Sequence, residues 1–257
     1  MTGAALRGWS SPQLPEFVPI FAATNQMSDR PRRPGLQVSR LTHVTLPEQR
    51  VGLPVDSAPE ILLRAARDLA HLDLVALVDS ARRCRDVTTS EIKPLLTTSR
   101  PGVVALRRAW EASTDRSDSI WESYLRMFHV AIGVPVKPQA ALIDADGRVV
   151  AHGDLLILGT VCIQEYDGEV HRGRSQHQRD LRRERALAGT PYVRRGYTKD
   201  DLLNHDMDVL KEVDGLLGRD HDPARLKAWR RLVEDSCLTR AGRDRVANRW
   251  MGRPPGS

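Results

Sequence analysis

Apolar residues recur three and four positions apart in the middle of the chain, which is the spacing of an amphipathic helix. Between residues 57 and 112 the pattern predicts four short helices, which begin near Ala58, Leu72, Thr88 and Gly102. Ser57 precedes the first helix and Glu60 follows three positions later, so we expect a capping box there. These segments together predict a small, mainly helical subdomain.

A further helix and then a group of strands follow. Ser117-Asp-Ser119 caps a predicted helix that ends at Gly133 and Pro135. Alternating patterns then predict strands at residues 140–144, 149–158 and 160–166, and Asp146-Gly147 is a strong hairpin turn between the first two. A basic helix at about 174–188, a strand at 192–194 and a helix at 199–217 complete the series. This order predicts an α/β sandwich with a central mixed sheet.

The two ends of the chain lack regular periodicity. Residues 1–56 contain frequent prolines, which interrupt helices and sheet ladders, so we expect a loop-rich region with short strands. Residues 218–257 contain ten Lys and Arg against five Asp and Glu, and one or two helices are expected in this basic tail. The predicted organisation is therefore four segments, 1–56, 57–114, 115–217 and 218–257.

Composition narrows the class of protein. Hydrophobic residues are 40% and charged residues 28% of the chain, as in globular domains, and the apolar runs are too short to cross a bilayer. Three cysteines without a CxxC pair argue against disulfides and a cysteine zinc site, so we expect a cytoplasmic protein with reduced thiols. The net charge of +6 indicates polyanion partners such as nucleic acid or, equally, the arginine-rich composition of a GC-rich genome.

Three acidic residues lie on or near the predicted strands 149–158 and 160–166. Asp154 lies among apolar residues, where an unpaired carboxylate is costly. Glu165 and Asp167 share one face because they are two residues apart, and pairing through the turn at Gly159 brings Asp154 near Glu165. Carboxylates that close together favour a hard divalent cation. The alternative is ordinary turn chemistry, since Asp167-Gly168 is a common turn pair and Glu165 then ends a strand in solvent.

Residues 115–205 resemble the endonuclease-like domains of the PD-(D/E)xK superfamily that are related to very-short-patch-repair endonucleases. The residues that carry the resemblance are Trp121-Glu122-Ser123, Leu125-Arg126, Gly153-Asp154, Glu165-Tyr-Asp-Gly168, His171, Gln176, Asp180, Arg183, Leu187 and Gly189. The implied fold is a restriction-endonuclease-like α/β/α sandwich behind a small, mainly helical domain.

Residues 53–100 are similar to the second part of an abortive-infection-type antitoxin module. The matching residues are Gly52-Leu-Pro-Val55, Asp79-Ser-Ala81, Val87-Thr-Thr and Glu91. Relatives usually begin with a DNA-binding winged helix, and we expect this chain to begin after it.

The resemblance implies hydrolysis of phosphodiester bonds in DNA with Mg²⁺ or Mn²⁺. Asp154 and Glu165 would bind the ion, helped directly or through water by Asp167 or Glu122. His171 would orient a water or a phosphate. The residues implied to contact nucleic acid are Arg179, Arg182, Arg183 and Arg194.

The sequence departs from the family pattern at three positions. Asp167 stands where the family has lysine, and a positive or amide group from the next helix, such as Gln176, would replace it. His152-Gly153 stands where an arginine is usual. Arg194 and Arg195 compete for the arginine at the end of the following strand, and we favour Arg194.

These features predict a metal-dependent DNA endonuclease that acts in repair or defence. The alternative is a non-catalytic regulatory protein of toxin–antitoxin type, which binds nucleic acid or a partner protein with a retained fold. A metabolic hydrolase is disfavoured, because the chain lacks a GxxxxGK[ST] phosphate loop. The sequence does not indicate the oligomeric state.

Overall fold

The computed structural model describes residues 1–24, 31, 33–40, 46–168 and 190–252. The chain divides into two compact units, Met1–Ile120 with Arg231–Ser257, and Trp121–Arg230. This division differs from the four segments expected from the sequence. Residues 1–56 and 57–114 lie in the same unit, and the basic segment 218–257 is divided between the two.

The first unit consists of helices with short strand pairs. Its helices are α1 (Thr2–Leu6), α2 (Ala58–Ala65), α3 (His71–Arg83), α4 (Thr89–Leu96) and α5 (Val103–Ala112). Its strands are β1 (Ile20–Thr24), β2 (Leu36–Arg40), β3 (Glu48–Arg50) and β4 (Leu53–Val55). The pair β1–β2 is parallel, and the pair β3–β4 is antiparallel. The four predicted central helices are confirmed, whereas α1 was not predicted.

Helix α3 is the centre of the first unit, because it is buried on nearly all sides. Two of its acidic residues are buried with backbone donors: Cys237 N donates to Asp73 over 2.8 Å, and Thr114 N donates to Asp79 over 2.7 Å. A buried carboxylate needs such partners. The apolar face of α3 and these two bonds therefore hold chain segments that are distant in sequence within this unit.

The starts of α2 and α4 are capped differently. Thr88 and Glu91 form a complete capping box at α4. Ser57 makes no side-chain capping bond at α2, so the expected capping box there is wrong. Glu60 instead accepts two hydrogen bonds from Arg100, at 2.5 and 2.7 Å. The charged fork of arginine competes better for that carboxylate than a backbone amide.

The second unit contains a four-stranded mixed sheet with helices. Helix α6 (Ile120–Ala131) precedes strands β5 (Val136–Ile143), β6 (Val149–Ile157), β7 (Cys162–Tyr166) and β8 (Val193–Tyr197). The sheet order is β5-β6-β7-β8, with the first two pairs antiparallel and β7–β8 parallel. The helices that follow in this unit are α7 (Lys199–Leu203), α8 (Asp206–Leu216) and the first half of α9 (Leu226–Asp235), because the unit ends at Arg230. The last helix, α10 (Arg240–Met251), belongs to the first unit. The mixed α/β class predicted from the sequence is confirmed.

Aromatic and aliphatic side chains fill the interior of the second unit. Phe128 of α6 and Trp229 of α9 meet edge to face, with ring centroids 5.4 Å apart, and both are buried. Trp229 Nε1 donates to the carbonyl of Leu202, so the indole also satisfies the end of α7. Among the described residues, no helix is both long and apolar enough to cross a membrane.

Candidate active site

The end of strand β7 carries a buried acid that is paired with an arginine. Glu165 is 2% exposed, and its Oε2 accepts a short hydrogen bond from Arg194 Nε. Arg194 lies on β8, where it pairs with Ile163 in the parallel register. Its Nη2 also donates to Asp167 Oδ1 over 3.2 Å, so one guanidinium joins two carboxylates. The structure therefore brings together three of the predicted site residues.

Asp154 lies on the neighbouring strand β6, in the position that the sequence predicts. Leu155 pairs with Gln164 and Leu156 with Ile163, so the next position in this register sets Asp154 opposite Glu165. The backbone N–H of Tyr166 donates a long bond of 3.4 Å to Asp154 Oδ2. Paired residues of antiparallel strands have their side chains on the same face. Asp154 and Glu165 are therefore neighbours on one face of the sheet.

Glu122 is connected to the same row by a residue that the sequence did not indicate. Gln139 Nε2 donates to Glu122 Oε2 over 3.3 Å. Gln139 lies on β5 between Pro138, which pairs with Leu155, and Ala140, and its place in the register is opposite Asp154. Its φ of +46° is left-handed, which is uncommon for a residue other than glycine. Such outliers concentrate at functional sites, so Gln139 joins the candidate residues.

Gly196 gives Asp167 its place beside β8. Gly196 pairs with Glu165, and a Cβ at Gly196 would lie 1.9 Å from Asp167 Oδ2. The backbone N–H of Asp167 donates to the carbonyl of Tyr197 over 2.8 Å and fixes the chain there. Asp167 has an exposed side chain, unlike Glu165. A side chain at Gly196 would therefore displace the Asp167 carboxylate.

The predicted metal ligands have suitable chemistry, because carboxylate oxygens are the ligands that Mg²⁺ and Mn²⁺ prefer. In residues 1–24, 31, 33–40, 46–168 and 190–252, however, no three His, Cys, Asp or Glu side chains are grouped closely enough to hold an ion. The guanidinium of Arg194 holds the Glu165 carboxylate instead. Asp154 and Glu165 suit a divalent cation because both are carboxylates and they lie opposite each other in the strand register. The positive charge beside Glu165 in this structure comes from the guanidinium of Arg194.

The opposite face of the same two strands carries a second polar chain. Gln164 Nε2 donates to the Tyr197 hydroxyl over 3.0 Å, and that hydroxyl donates to Glu212 Oε2 over 2.8 Å. Arg195 Nε pairs with Glu212 at 2.9 Å. Burial and the bond to Glu212 raise the pKa of the Tyr197 hydroxyl far above its usual range. Burial likewise raises the pKa of the nearby Cys162 thiol to about 11, so this thiol is protonated and unreactive.

Two aromatic rings stack at the end of strand β7. The indole of Trp121 and the ring of Tyr166 are parallel within 6°, with centroids 5.1 Å apart. Trp121 precedes Glu122, and Tyr166 separates Glu165 from Asp167. Both rings are partly exposed. The stack therefore links the start of α6 to the end of β7.

A second buried carboxylate lies elsewhere in this unit. Asp214 on α8 contacts Arg219 at 2.5 Å, His221 at 2.9 Å and Arg225 at 3.2 Å, with its side chain 2% exposed. Burial alone would raise the pKa of Asp214, but hydrogen bonds from Arg219 and His221 outweigh that effect and lower it. The carboxylate is ionised, so His221 Nδ1 is the donor in its bond.

The predicted residues His171, Gln176, Arg179, Arg182 and Arg183 lie outside the described residues. Of the two competing arginines, Arg194 faces the acids and Arg195 faces Glu212. No protein-family model, curated protein or solved structure matches this chain.

Proposed function

We propose that the second unit is a restriction-endonuclease-like domain that hydrolyses phosphodiester bonds in DNA with Mg²⁺ or Mn²⁺. The observation that carries the proposal is the register that sets Asp154 opposite Glu165 at the end of β7. The order of a helix, three antiparallel strands and a parallel fourth strand supports the same fold. The net charge of +6 suits a polyanionic substrate.

Asp154 and Glu165 would hold the cation. When bound, such a cation lowers the pKa of a water ligand and offsets negative charge on the scissile phosphate. Burial of Glu165 keeps its carboxylate in one position, which limits the reorganisation needed on binding. Gln139 holds Glu122 near the row, where Glu122 can contact the ion through water. Arg194 and the predicted basic helix would contact the DNA backbone.

A second candidate is a non-catalytic regulatory protein of toxin–antitoxin or defence type, which binds DNA or a partner protein. Two observations favour it: the described residues contain no ready group of three metal ligands, and Arg194 already neutralises Glu165. A retained fold without turnover would have both features. The two candidates differ in whether loss of the Glu165 charge changes phosphodiester cleavage.

The deciding experiment is a plasmid-nicking assay in Mg²⁺ and in Mn²⁺ with the wild type and Glu165→Gln. We expect the substitution to lower nicking at least ~100-fold, because loss of one preorganised charge at a reacting phosphate has about that effect. Excess EDTA should abolish nicking by the wild type. Single-stranded, nicked and mismatched DNA should be included, so that the form of the substrate does not hide an activity.

Glu212→Gln is the matched control. It makes the same chemical change on the opposite face of the sheet, next to Arg195 and Tyr197. Nicking by this variant should equal that of the wild type. If the wild type cleaves none of these substrates, the enzymatic proposal fails and the regulatory candidate takes its place. Equal cleavage by the wild type and Glu165→Gln would identify a contaminating nuclease.

A further inference from the structure

The guanidinium of Arg194 supplies a positive charge where the resemblance leads us to expect a lysine side chain. The resemblance expects lysine two residues after Glu165, where this chain has Asp167. Arg194 reaches the same carboxylates from the adjacent strand β8, with its Nε on Glu165 and its Nη2 on Asp167. The positive group at this site therefore comes from β8.

The local architecture supports this placement. Arg194 is two residues before Gly196, which pairs with Glu165, so the side chain extends along the sheet towards the end of β7. The absence of a Cβ at Gly196 leaves room for the Asp167 carboxylate, which approaches that position to 1.9 Å. Gly196 therefore leaves space for the Asp167 carboxylate, which accepts a hydrogen bond from Nη2 of Arg194.

Two different cations could neutralise Glu165. A carboxylate that is 2% exposed requires a counter-charge, and Arg194 provides a permanent one because the guanidinium does not lose its proton. A divalent ion bound to Glu165 would place a second positive charge beside the guanidinium, and repulsion between the two cations would weaken the Nε–H bond. Arg194 has a side chain that is 27% exposed, and Asp167 lies on its outer side, so the guanidinium has a second partner when Glu165 is taken.

We infer that Arg194 is the cationic side chain of the proposed active site, and that it competes with the metal ion for Glu165. In the metal-free protein it neutralises Glu165. When the ion binds, Arg194 leaves Glu165, stays beside Asp167 and is available to the scissile phosphate. Asp167 is then a positioning residue for Arg194 and not a metal ligand. This inference rests on the proposed nuclease function.

The test measures metal binding and cleavage separately. Mn²⁺ is titrated calorimetrically into the full-length wild type and Arg194→Gln without DNA, and both proteins are assayed for plasmid nicking. We expect Arg194→Gln to bind Mn²⁺ about tenfold more tightly, because a competing positive charge is gone. We also expect nicking to fall about 100-fold, because the charge that faces the phosphate is gone as well. A purely structural role would not tighten metal binding.

Arg195→Gln is the matched control, since it removes the same charge from the next residue of β8 on the other face. Both of its properties should match the wild type. Unchanged or weaker Mn²⁺ binding by Arg194→Gln overturns the inference even if the wild type is an active nuclease. Tighter Mn²⁺ binding together with unchanged nicking overturns it too. Failure of the proposed function looks different: the wild type does not nick, and Glu165→Gln binds Mn²⁺ as the wild type does.

A second measurement covers the case in which Arg194→Gln does not fold. The Nε–H resonance of Arg194 in the wild type is assigned by its absence from Arg194→Lys, which keeps the charge. Saturation with Ca²⁺, which binds carboxylates without supporting the reaction, should shift this resonance as the bond to Glu165 breaks. A resonance that stays in place at saturating Ca²⁺ overturns the inference.

Discussion

Glu165 and Asp214 are both buried, ionisable carboxylates of the second unit, and each is bound to arginine. Asp214 is surrounded by Arg219, His221 and Arg225, so several basic groups serve a single carboxylate. Among the described residues, Glu165 and Asp167 share the one guanidinium of Arg194, and Asp154 lies opposite Glu165 in the strand register. Several donors around one carboxylate stabilise a fold, whereas several carboxylates on one sheet edge are the arrangement expected of a site that accepts a cation.

The largest expected difference in stability is between the variants in which one of these two carboxylates is replaced by its amide. Asp214→Asn should lower the free energy of unfolding by about 3 kcal/mol, because it leaves the surrounding cations without their buried anion. Glu165→Gln should lower it by less than about 1 kcal/mol, because Arg194 keeps Asp167 at 3.2 Å as a partner that is exposed to solvent. Urea denaturation of the metal-free proteins at pH 7 measures both.

The pH dependence separates the two variants further. The pKa of Asp214 is lowered in the folded protein, so its contribution to stability is present above about pH 4, the unfolded value, and is lost as the pH falls through the folded pKa. The stability difference between the wild type and Asp214→Asn should therefore shrink in stronger acid. Equal losses of stability in the two amide variants at pH 7 would remove the contrast between the sites.

A third buried group of this unit, His129, should make the protein sensitive to mild acid. Burial lowers the pKa of His129 to about 4, although its Nδ1 lies 2.8 Å from the carbonyl of Leu125. The unfolded chain binds the proton first, near pH 6.5, so the stabilisation is complete above that pH and is lost as the pH falls towards 4. The loss should reach about 2 kcal/mol at pH 4.5 relative to pH 7, as the size of the shift implies.

His129→Leu is the control for this effect. Leucine fills a similar volume and does not titrate, so urea denaturation at pH 7 and pH 4.5 should show a smaller difference for the variant. A parallel decline in both proteins would assign the acid sensitivity to other groups. Burial favours the neutral form of His129, whereas Glu165 and Asp214 are ionic partners of arginine.

The smallest effect is expected on the face of the sheet opposite Glu165. Tyr197→Phe removes the hydroxyl that joins Gln164 to Glu212, and it should lower the free energy of unfolding by about 1 kcal/mol. Gln164 Oε1 already lacks a partner among the described residues, so the amide would lose its remaining bond. Plasmid nicking by Tyr197→Phe should match that of the wild type. A loss of nicking at unchanged stability would place this polar chain in the reaction.

The elements that depend on local pattern could be predicted from the sequence. Strands β6 and β7 follow from alternation, and the short turn at Gly159 limits their register, so the proximity of Asp154 to Glu165 could be deduced. Helices α2 to α6 follow from apolar spacing in the same way. The predicted strand at residues 140–144 in fact begins at Val136 and contains Pro138. Proline is tolerated there because β5 is at the edge of the sheet.

Features that depend on distant residues could not be predicted. The pairing of β7 with β8 joins segments about thirty residues apart, so nothing local shows that Arg194 reaches Glu165. The expected helix at residues 199–217 is instead two helices, α7 and α8. Asp206 at the start of α8 is buried and accepts two bonds of 2.8 Å from Arg230, a contact absent from any local pattern. Gln139 had no signal beyond its place after proline.

The stacking of Trp121 on Tyr166 gives the protein a natural optical probe. The backbone N–H of Tyr166 donates to Asp154, and the ring of Tyr166 stacks on the indole with centroids 5.1 Å apart, so a movement of the backbone at the end of β7 alters the surroundings of the indole. Trp9, Trp229 and Trp250 are buried away from solvent, whereas Trp110 and Trp121 are partly exposed. In a Trp110→Phe background, a soluble quencher therefore separates the emission of Trp121, which allows occupancy of the site to be followed in real time without a label.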